Sequence, residues 1–272
     1  MKIEVLVATI NQKNTDLYEK MNLQTDAIIA NQSKEYSYIE KIKKNHIVKM
    51  ITTKEIGVGR NRNQALLYAT GDICLFADDD MCYIEGYEKI VKEAFQKIPK
   101  ADIIIFNIET IGKETRKRRI NTKIKKLNKF NILNYGAARI AIKRNEQLKK
   151  NIWFSLLYGG GALYSSGEDS LFLIEALQKG MNIYAYPEKI ANIKQESSTW
   201  FKGYTEKYFE DKGYWIANAF PKLKYLVILY FFYKLSSFNK NFSKLKIYKF
   251  LKNGINKFDI KKENNEKSTD NK

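Results

Sequence analysis

Three consecutive carboxylates, Asp78-Asp79-Asp80, stand at the end of the apolar run Ile73-Cys74-Leu75-Phe76-Ala77. A short continuous apolar run bounded by polar signals reads as a buried parallel strand. Three adjacent carboxylates repel one another and are costly to desolvate unpaired. They make sense beside a positive charge. Open α/β sheets bind ligands at the carboxyl ends of their strands, and an all-oxygen ligand set suits Mg²⁺ or Mn²⁺, whose usual partner is a diphosphate. The plain structural alternative is a solvated acidic turn.

A second acidic pair, Glu168-Asp169, follows Gly159-Gly160-Gly161-Ala162 and Ser165-Ser166-Gly167. It opens the helical run Leu171–Leu177. One reading makes it a general base. The other makes it an ordinary acidic helix start. The glycines either let a substrate approach the backbone closely or form a plain turn. A third polar set, Arg60-Asn61-Arg62-Asn63, follows Gly57-Val58-Gly59 at a helix start, where backbone N–H groups favour anions.

The elements that must hold these residues alternate along the chain. Strands are expected at Ile3–Thr9, Ala27–Ala30, Ile47–Thr52, Ile73–Ala77, Asp102–Ile108, Tyr135–Ile142 and Ile183–Ala185. The last closes at Pro187. Helical patterns lie at Leu17–Met21, Asn63–Ala69, Gly86–Ile98 and Leu171–Leu177. Strands alternating with helices at this spacing predict a largely parallel, doubly wound α/β sheet with right-handed crossovers.

The chain has 272 residues and 44% hydrophobic content, which is globular and enough for one α/β domain plus an appendage. Two cysteines, Cys74 and Cys82, make no disulfide framework and fit a reducing compartment. The only histidine, His46, has no Cys/His cluster around it that would bind zinc. The first ten residues start a strand and carry no cleavage signal. No apolar window of about 18 residues exists to span a bilayer.

A net charge of +18 predicts attraction to polyanions. Between Lys222 and Lys272 there are 13 lysines against four acids, Asp259, Glu263, Glu266 and Asp270. A second basic cluster, Lys113–Lys126, follows the Asp102–Ile108 strand and reads either as a solvated loop or as a contact for a phosphorylated acceptor or a membrane. Leu223–Phe250 interleaves Leu, Tyr and Phe with Lys. Such a segment lies in a membrane interface or packs on the domain as a helix. From Lys257 onward the tail is polar and expected to lack order.

Together the pieces resemble the inverting glycosyltransferases of family 2, with the GT-A fold. The resemblance is carried by Val7-Ala8-Thr9, by Gly59-Arg60-Asn61-Arg62-Asn63-Gln64-Ala65-Leu66, by Ala69-Thr70-Gly71-Asp72 running on to Asp78-Asp79-Asp80, and by Glu168-Asp169. It covers roughly residues 1 to 215. It implies a Rossmann-like, mostly parallel mixed sheet flanked by helices; the basic, aromatic-rich C-terminal segment lies outside the resemblance and reads from its own pattern as a helical extension. The domains are then 1–220 as the glycosyltransferase domain, 221–256 as a basic, aromatic helical extension that either associates with a membrane or packs on the domain, and 257–272 as a disordered tail.

By that resemblance, Thr9, Asn11, Gln12, Asn31 and Gln32 cradle the nucleoside of a nucleotide-sugar donor, with Arg60, Arg62 and Asn63 placing its phosphates. Many members carry an Asp after the second strand. Here Asn31-Gln32 stands there, with Asp26 before the strand. Amides both donate and accept, so they can read a uracil edge. Asp78 and Asp79 belong to the donor site, and Asp78 and Asp80 to a divalent metal, Mn²⁺ or Mg²⁺. Asp169 is the implied base, with Glu168 beside it. Some members add a metal-binding His in a late loop. The matching stretch Lys194–Trp200 has none, leaving Gln195, Glu196 or water.

The implied reaction moves a sugar, first of all from a UDP-sugar, to a hydroxyl of a glycan or lipid-linked glycan in bacterial surface polysaccharide synthesis. The implied place is the cytoplasm or the inner face of the membrane. Two further readings stay open. A nucleotidyltransferase shares the core but carries a Gly-rich loop after its first strand, and Thr9–Asn14 has no Gly. An inactive GT-A-like protein that binds a membrane or another polyanion fits the charge. Nucleic acid is not an expected partner, because no recognition motif for it is present.

Overall fold

The structure is a computed structural model, and it describes residues 1–111, 119–129, 131–194, 203–239 and 241–270. The chain divides into two compact units, residues 1–162 with 168–198, and residues 163–167 with 199–272.

The first unit opens with β1 (Ile3–Ile10), α1 (Leu17–Lys20), β2 (Asp26–Gln32), β3 (Ser37–Lys43) and β4 (His46–Thr53). Then come α2 (Val58–Tyr68), β5 (Ile73–Asp78), β6 (Met81–Tyr83), α3 (Tyr87–Lys97), β7 (Ile103–Ile111) and β8 (Lys125–Lys126). Two 3-10 turns, Ile132–Asn134 and Ala137–Arg139, lead into β9 (Ile140–Lys143), α4 (Arg144–Lys149), α5 (Glu168–Gln178) and β10 (Ile183–Lys194).

The strands form one sheet in the order β3-β4-β2-β1-β5-β9-β7-β10-β6, with β8 paired to β10. β1 pairs in parallel with both β2 and β5, so the strand order reverses there. A reversal opens a crevice beyond the carboxyl ends of the strands, the usual ligand position in such sheets. Thr9 at the end of β1 pairs with Asn31, and Ala8 pairs with Asp78. The predicted α/β class and mostly parallel sheet are therefore present, with antiparallel strands at β3, β6, β8 and β9.

The apolar faces of β1, β2, β5 and β7 pack with α1 and α3 into one core that includes Val5, Val7, Ile29, Leu75, Phe106, Val91 and Phe95, all nearly inaccessible. Glu4, which breaks the apolar run of β1, is buried as well. Its carboxylate accepts the backbone N–H groups of Thr70 and Gly71 at 2.6 and 2.9 Å, which fixes the turn between α2 and β5 and supplies the partners a buried charge requires.

Several boundaries differ from the sequence expectation. β3 is an extra strand, joined to β4 by Lys44 and Asn45, both at positive φ, the backbone a two-residue hairpin needs. β10 does not stop at Pro187. It passes through it with register shifts between Ala185 and Ala191, and bulges are where a strand tolerates proline. The expected strand from Tyr135 starts only at Ile140, after the 3-10 turns. Helix α2 begins five residues earlier than expected, which puts Arg60, Asn61 and Arg62 on it. Residues 113–118 of the basic cluster, and Gln195 and Glu196, lie outside the described residues.

The second unit contains α6 (Glu206–Ala219), α7 (Lys224–Phe238) and α8 (Lys244–Asp270). The segment from Lys257, expected to lack order, is part of α8. Helices α6 and α8 cross at two glycines. A Cβ on Gly213 would lie 2.0 Å from the Leu251 carbonyl oxygen, and one on Gly254 would lie 2.0 Å from that of Glu210. Phe209, Trp215, Ile216, Ile228, Phe231, Leu235, Ile247, Leu251 and Ile255 are buried in this unit. Lys224 and Lys257 bridge to Asp259 and Glu210. Among the described residues, no helix is long and apolar enough to cross a membrane.

Candidate active site

The carboxyl ends of β1 and β5 and the first turn of α2 meet the start of α5, and their charged side chains converge on one guanidinium. Arg62 donates from Nη2 to Asp78 Oδ1 at 2.9 Å, and from Nη1 to Asp169 Oδ1 at 2.6 Å and Glu168 Oε1 at 3.3 Å. Its side chain is 5% exposed, against 38% for Asp78, 12% for Glu168 and 25% for Asp169. The arginine is thus sealed under the site while the carboxylates reach its surface. Burial works against the guanidinium charge, but Asp169, Asp78 and Glu168 outweigh it and raise its pKa above the ordinary value. The Phe154 ring lies 5.3 Å from the guanidinium carbon, a stacking position for a weakly hydrated cation.

Asp169 has both oxygens engaged. Oδ1 faces Arg62, and Oδ2 accepts the Ala137 N–H at 2.9 Å. A carboxylate held at two points keeps one orientation. Glu168 is hemmed in by Gly159. That residue has φ +102°, and a Cβ on it would stand 2.7 Å from the Glu168 carboxyl carbon and 2.5 Å from Val58 Cγ1. Only glycine fits there without a shift.

The aspartate triplet splits three ways. Asp78 faces Arg62. Asp79 accepts the Thr9 hydroxyl at 2.6 Å. Asp80 is exposed beyond the strand, and its carbonyl accepts the Lys194 N–H at 3.0 Å.

Of the remaining residues expected at the donor site, Asn31, Gln32 and Asn63 hold backbone. Asn31 is fully buried and accepts the Gln12 N–H at 2.9 Å, while its amide donates to the Gln12 carbonyl at 2.9 Å and the Thr52 hydroxyl at 3.1 Å. Gln32 donates to the Gly57 carbonyl at 2.9 Å. These two amides fix the loops after β1 and before α2. Asn11, at φ 54°, is exposed in the first of those loops, with Gln12 beside it half-buried. Asn63 pairs its amide with both backbone groups of Phe154 at 2.8 Å. Arg60 is exposed and bridges to Glu55 at 3.2 Å. Arg60 and Asn63 line a cavity of about 520 Å³ along α2, with Gln64, Tyr68, Trp153 and Leu156. The structure therefore brings together Thr9, Arg62, Asp78, Asp79, Glu168 and Asp169, and gives Asn31, Gln32 and Asn63 positioning contacts.

Three residues have roles that the sequence does not assign them individually. Asn61 donates to the Thr9 carbonyl at 3.0 Å and fixes the end of β1. Ala137 supplies an N–H to the base candidate. Phe154 carries the arginine. Asn61 stands in the Arg60–Asn63 set, but its partner is 52 residues away; Ala137 and Phe154 have no sequence signal, because they act through a backbone N–H and a ring at long range.

Mg²⁺ and Mn²⁺ are commonly bound by one or two protein carboxylates, with phosphates and water completing the shell. Among the described residues no group of three or more His, Cys, Asp or Glu is arranged to hold a metal. Exposed Asp80 and half-exposed Asp78 are hard oxygen donors at the crevice. The set fits an ion completed by a diphosphate, and does not fit a cage made by protein alone.

Comparison with known proteins bears on the family and the fold. The family description "Glycosyl transferase family 2" matches residues 24–166. No curated protein matches the chain in sequence. Among solved structures, S. aureus TarS residues 1–349 in complex with UDP-GlcNAc is similar at TM-score 0.61 and 17% identity, covering 81% of this chain and 68% of that one. The same fragment with UDP gives a TM-score of 0.58 at 16% identity, covering 81% and 67%. A longer S. aureus TarS chain gives 0.57 at 15% identity, covering 80% of this chain and 39% of that one. At these identities the likeness is one of fold, the GT-A arrangement. The family match spans more than half of the sequence, and the chain belongs to glycosyl transferase family 2.

Proposed function

We propose that this glycosyltransferase moves a sugar from a nucleoside-diphosphate donor, UDP-linked, to a hydroxyl of a glycan acceptor with inversion at the anomeric carbon. The observation that carries the reading is the convergence of Asp78, Glu168 and Asp169 on Arg62 at the reversal point of the sheet. Support for the donor class comes from the family and from fold neighbours determined with UDP-GlcNAc and UDP.

Each residue then has a physical task. Asp169 accepts the proton of the acceptor hydroxyl as its oxygen attacks the anomeric carbon. A positioned base contributes about 10²–10⁴-fold. Its two hydrogen-bonded oxygens hold it in place for that transfer. Arg62 orients the base and Asp78 through its hydrogen bonds to both. Thr9 and Asp79, joined by their hydrogen bond, and the Asn11-Gln12 loop form the wall for the nucleoside. Asp80, with Asp78, would hold Mg²⁺ or Mn²⁺ against the diphosphate. When bound, that ion offsets the negative charge that builds on the leaving group. Glu168 shapes the electrostatics around the base.

The acceptor we infer is a lipid-linked glycan of bacterial surface polysaccharide, met at the inner face of the membrane by a peripheral protein. The 13 lysines against four acids after Lys222 support that placement.

The test is a thermal-shift panel of UDP-, GDP- and dTDP-sugars, each with Mn²⁺, Mg²⁺ or EDTA, on wild type and Asp80→Ala. A ligand that binds only the folded state raises its stability. The expected result is a metal-dependent shift with the uridine series that Asp80→Ala abolishes. No shift with any donor would leave a GT-A protein without donor use and overturn the reading.

A further inference from the structure

Helix α7 is apolar on two sides. Ile228, Phe231 and Leu235, spaced i, i+3 and i+7, are buried. That is the ordinary inward stripe of a packed helix. Leu226, Leu229, Tyr230 and Tyr233 repeat the same helical spacing on another face and are exposed by 68, 53, 57 and 80%. An outward helix face normally carries charge. Between Lys224 and Phe238 the charged residues are Lys224 and Lys234 alone. Contiguous exposed apolar surface marks a place of interaction.

The chemistry around the stripe selects the partner. From Lys222 to Phe258 there are nine lysines and no acid. Lys222, Lys234, Lys244, Lys246, Lys249 and Lys252 are exposed. A second copy of the chain on this stripe would bring two such cationic surfaces together, which disfavours a self-complementary interface. An anionic lipid surface meets both requirements. Leucines enter the acyl boundary, tyrosines sit at headgroup depth, and lysine ammonium groups reach the phosphates. The helix has 15 residues, about 22 Å at 1.5 Å per residue, too short to cross and suited to lie in the plane.

We propose that the Leu226, Leu229, Tyr230 and Tyr233 face of α7 docks the protein on an anionic bilayer. The proposal gives the proposed lipid-linked acceptor a surface on which to be met, yet its evidence lies in the exposed face of α7 and the lysines before and after it and does not depend on donor chemistry.

The experiment is flotation of the full chain with vesicles of phosphatidylcholine mixed with phosphatidylglycerol, and with vesicles of phosphatidylcholine alone. Wild type should float with the anionic vesicles and lose much of that binding at about 1 M salt, where screening acts within ~3 Å. The variant Leu226→Ser/Leu229→Ser/Tyr233→Ser should partition about tenfold less. Tyr233→Ser alone, at an 80% exposed position, leaves folding undisturbed and should partition roughly threefold less. Thermal shifts with UDP-GlcNAc and Mn²⁺ on the same samples report the donor reading separately, and both variants should match wild type there. Equal flotation of wild type and variants would overturn the proposal. So would wild type that stays off anionic vesicles, or a wild-type dimer that the triple variant converts to monomer.

Discussion

Asp169, the candidate base, lies 2.6 Å from the guanidinium of Arg62, a residue 107 positions earlier in the chain. The same guanidinium holds Asp78 at 2.9 Å. The base and the strand-end carboxylate are thereby set relative to each other by one rigid fork, and neither can turn without breaking a charge-assisted hydrogen bond.

Replacing the fork tests this. Arg62→Lys keeps a cation but replaces the spread planar fork with a compact ammonium that does not reproduce its spacing toward the three carboxylates. The expected outcome is a fall in kcat of about 10²-fold from misplacement of the base, with KM for the donor changed little. Steady-state kinetics with the donor varied separates the two. A rise in KM with kcat unchanged would return Arg62 to donor binding. Arg62→Ala leaves the partly buried carboxylates without a counter-charge, and a loss of about 3–5 kcal/mol in denaturant unfolding is expected.

Gly159→Ala should disturb the site without altering any charge. The added Cβ meets the Glu168 carboxyl and Val58 at 2.7 and 2.5 Å, on a backbone at φ +102°. A stability loss of at least about 1 kcal/mol is expected, together with reduced turnover. Gly180→Ala, also at positive φ but with nothing near its Cβ, should destabilise while leaving turnover per folded molecule unchanged.

Asn31→Ala removes three hydrogen bonds from a fully buried position and orphans the Gln12 backbone and the Thr52 hydroxyl. The expected cost is about 1–3 kcal/mol. The loop carrying Asn11 and Gln12 loosens, so donor KM should rise while kcat at saturation holds. Asn31→Asp, which keeps the acceptor for Gln12 N–H, should recover part of both.

Acid stability should depend on Asp26. Burial pushes its pKa up, while Lys2 at 2.8 Å, the Ile47 N–H at 2.9 Å and the charge of His46 pull it down, and the net value lies below the ordinary one. A depressed carboxylate contributes stability above its unfolded pKa of about 3.9, and that contribution is lost as pH falls through the lower folded value. Melting temperature followed from about pH 5 down to pH 2 should therefore drop less steeply in Lys2→Met than in wild type.

The sheet and the acidic strand end were legible in the sequence because both are local. An apolar run of strand length followed by carboxylates carries its own meaning, and so does an acidic pair at a helix start. The Arg62 cluster was not legible, because its partners lie 16, 106 and 107 residues away. The sequence places Arg62 at the donor phosphates, and only the fold shows that it is buried against three carboxylates. Asn31 and Gln32 looked available to a nucleobase, whereas tertiary structure uses both amides to tie down loops. Pro187 suggested a strand end, and the bulge in β10 let the strand continue. The hairpin between β3 and β4 had a signal in Lys44-Asn45, but β3 is exposed at most of its positions, so its apolar pattern is weak.

The measurement that tests the central claim most directly compares Asp169→Asn with wild type for UDP release from a UDP-sugar in the presence of Mn²⁺, with donor affinity measured on the same protein. The account predicts turnover lower by about 10²–10⁴-fold and donor affinity within a few-fold of wild type. Near wild-type turnover in Asp169→Asn would contradict it, and the base would have to be sought elsewhere, with Glu168 the first candidate.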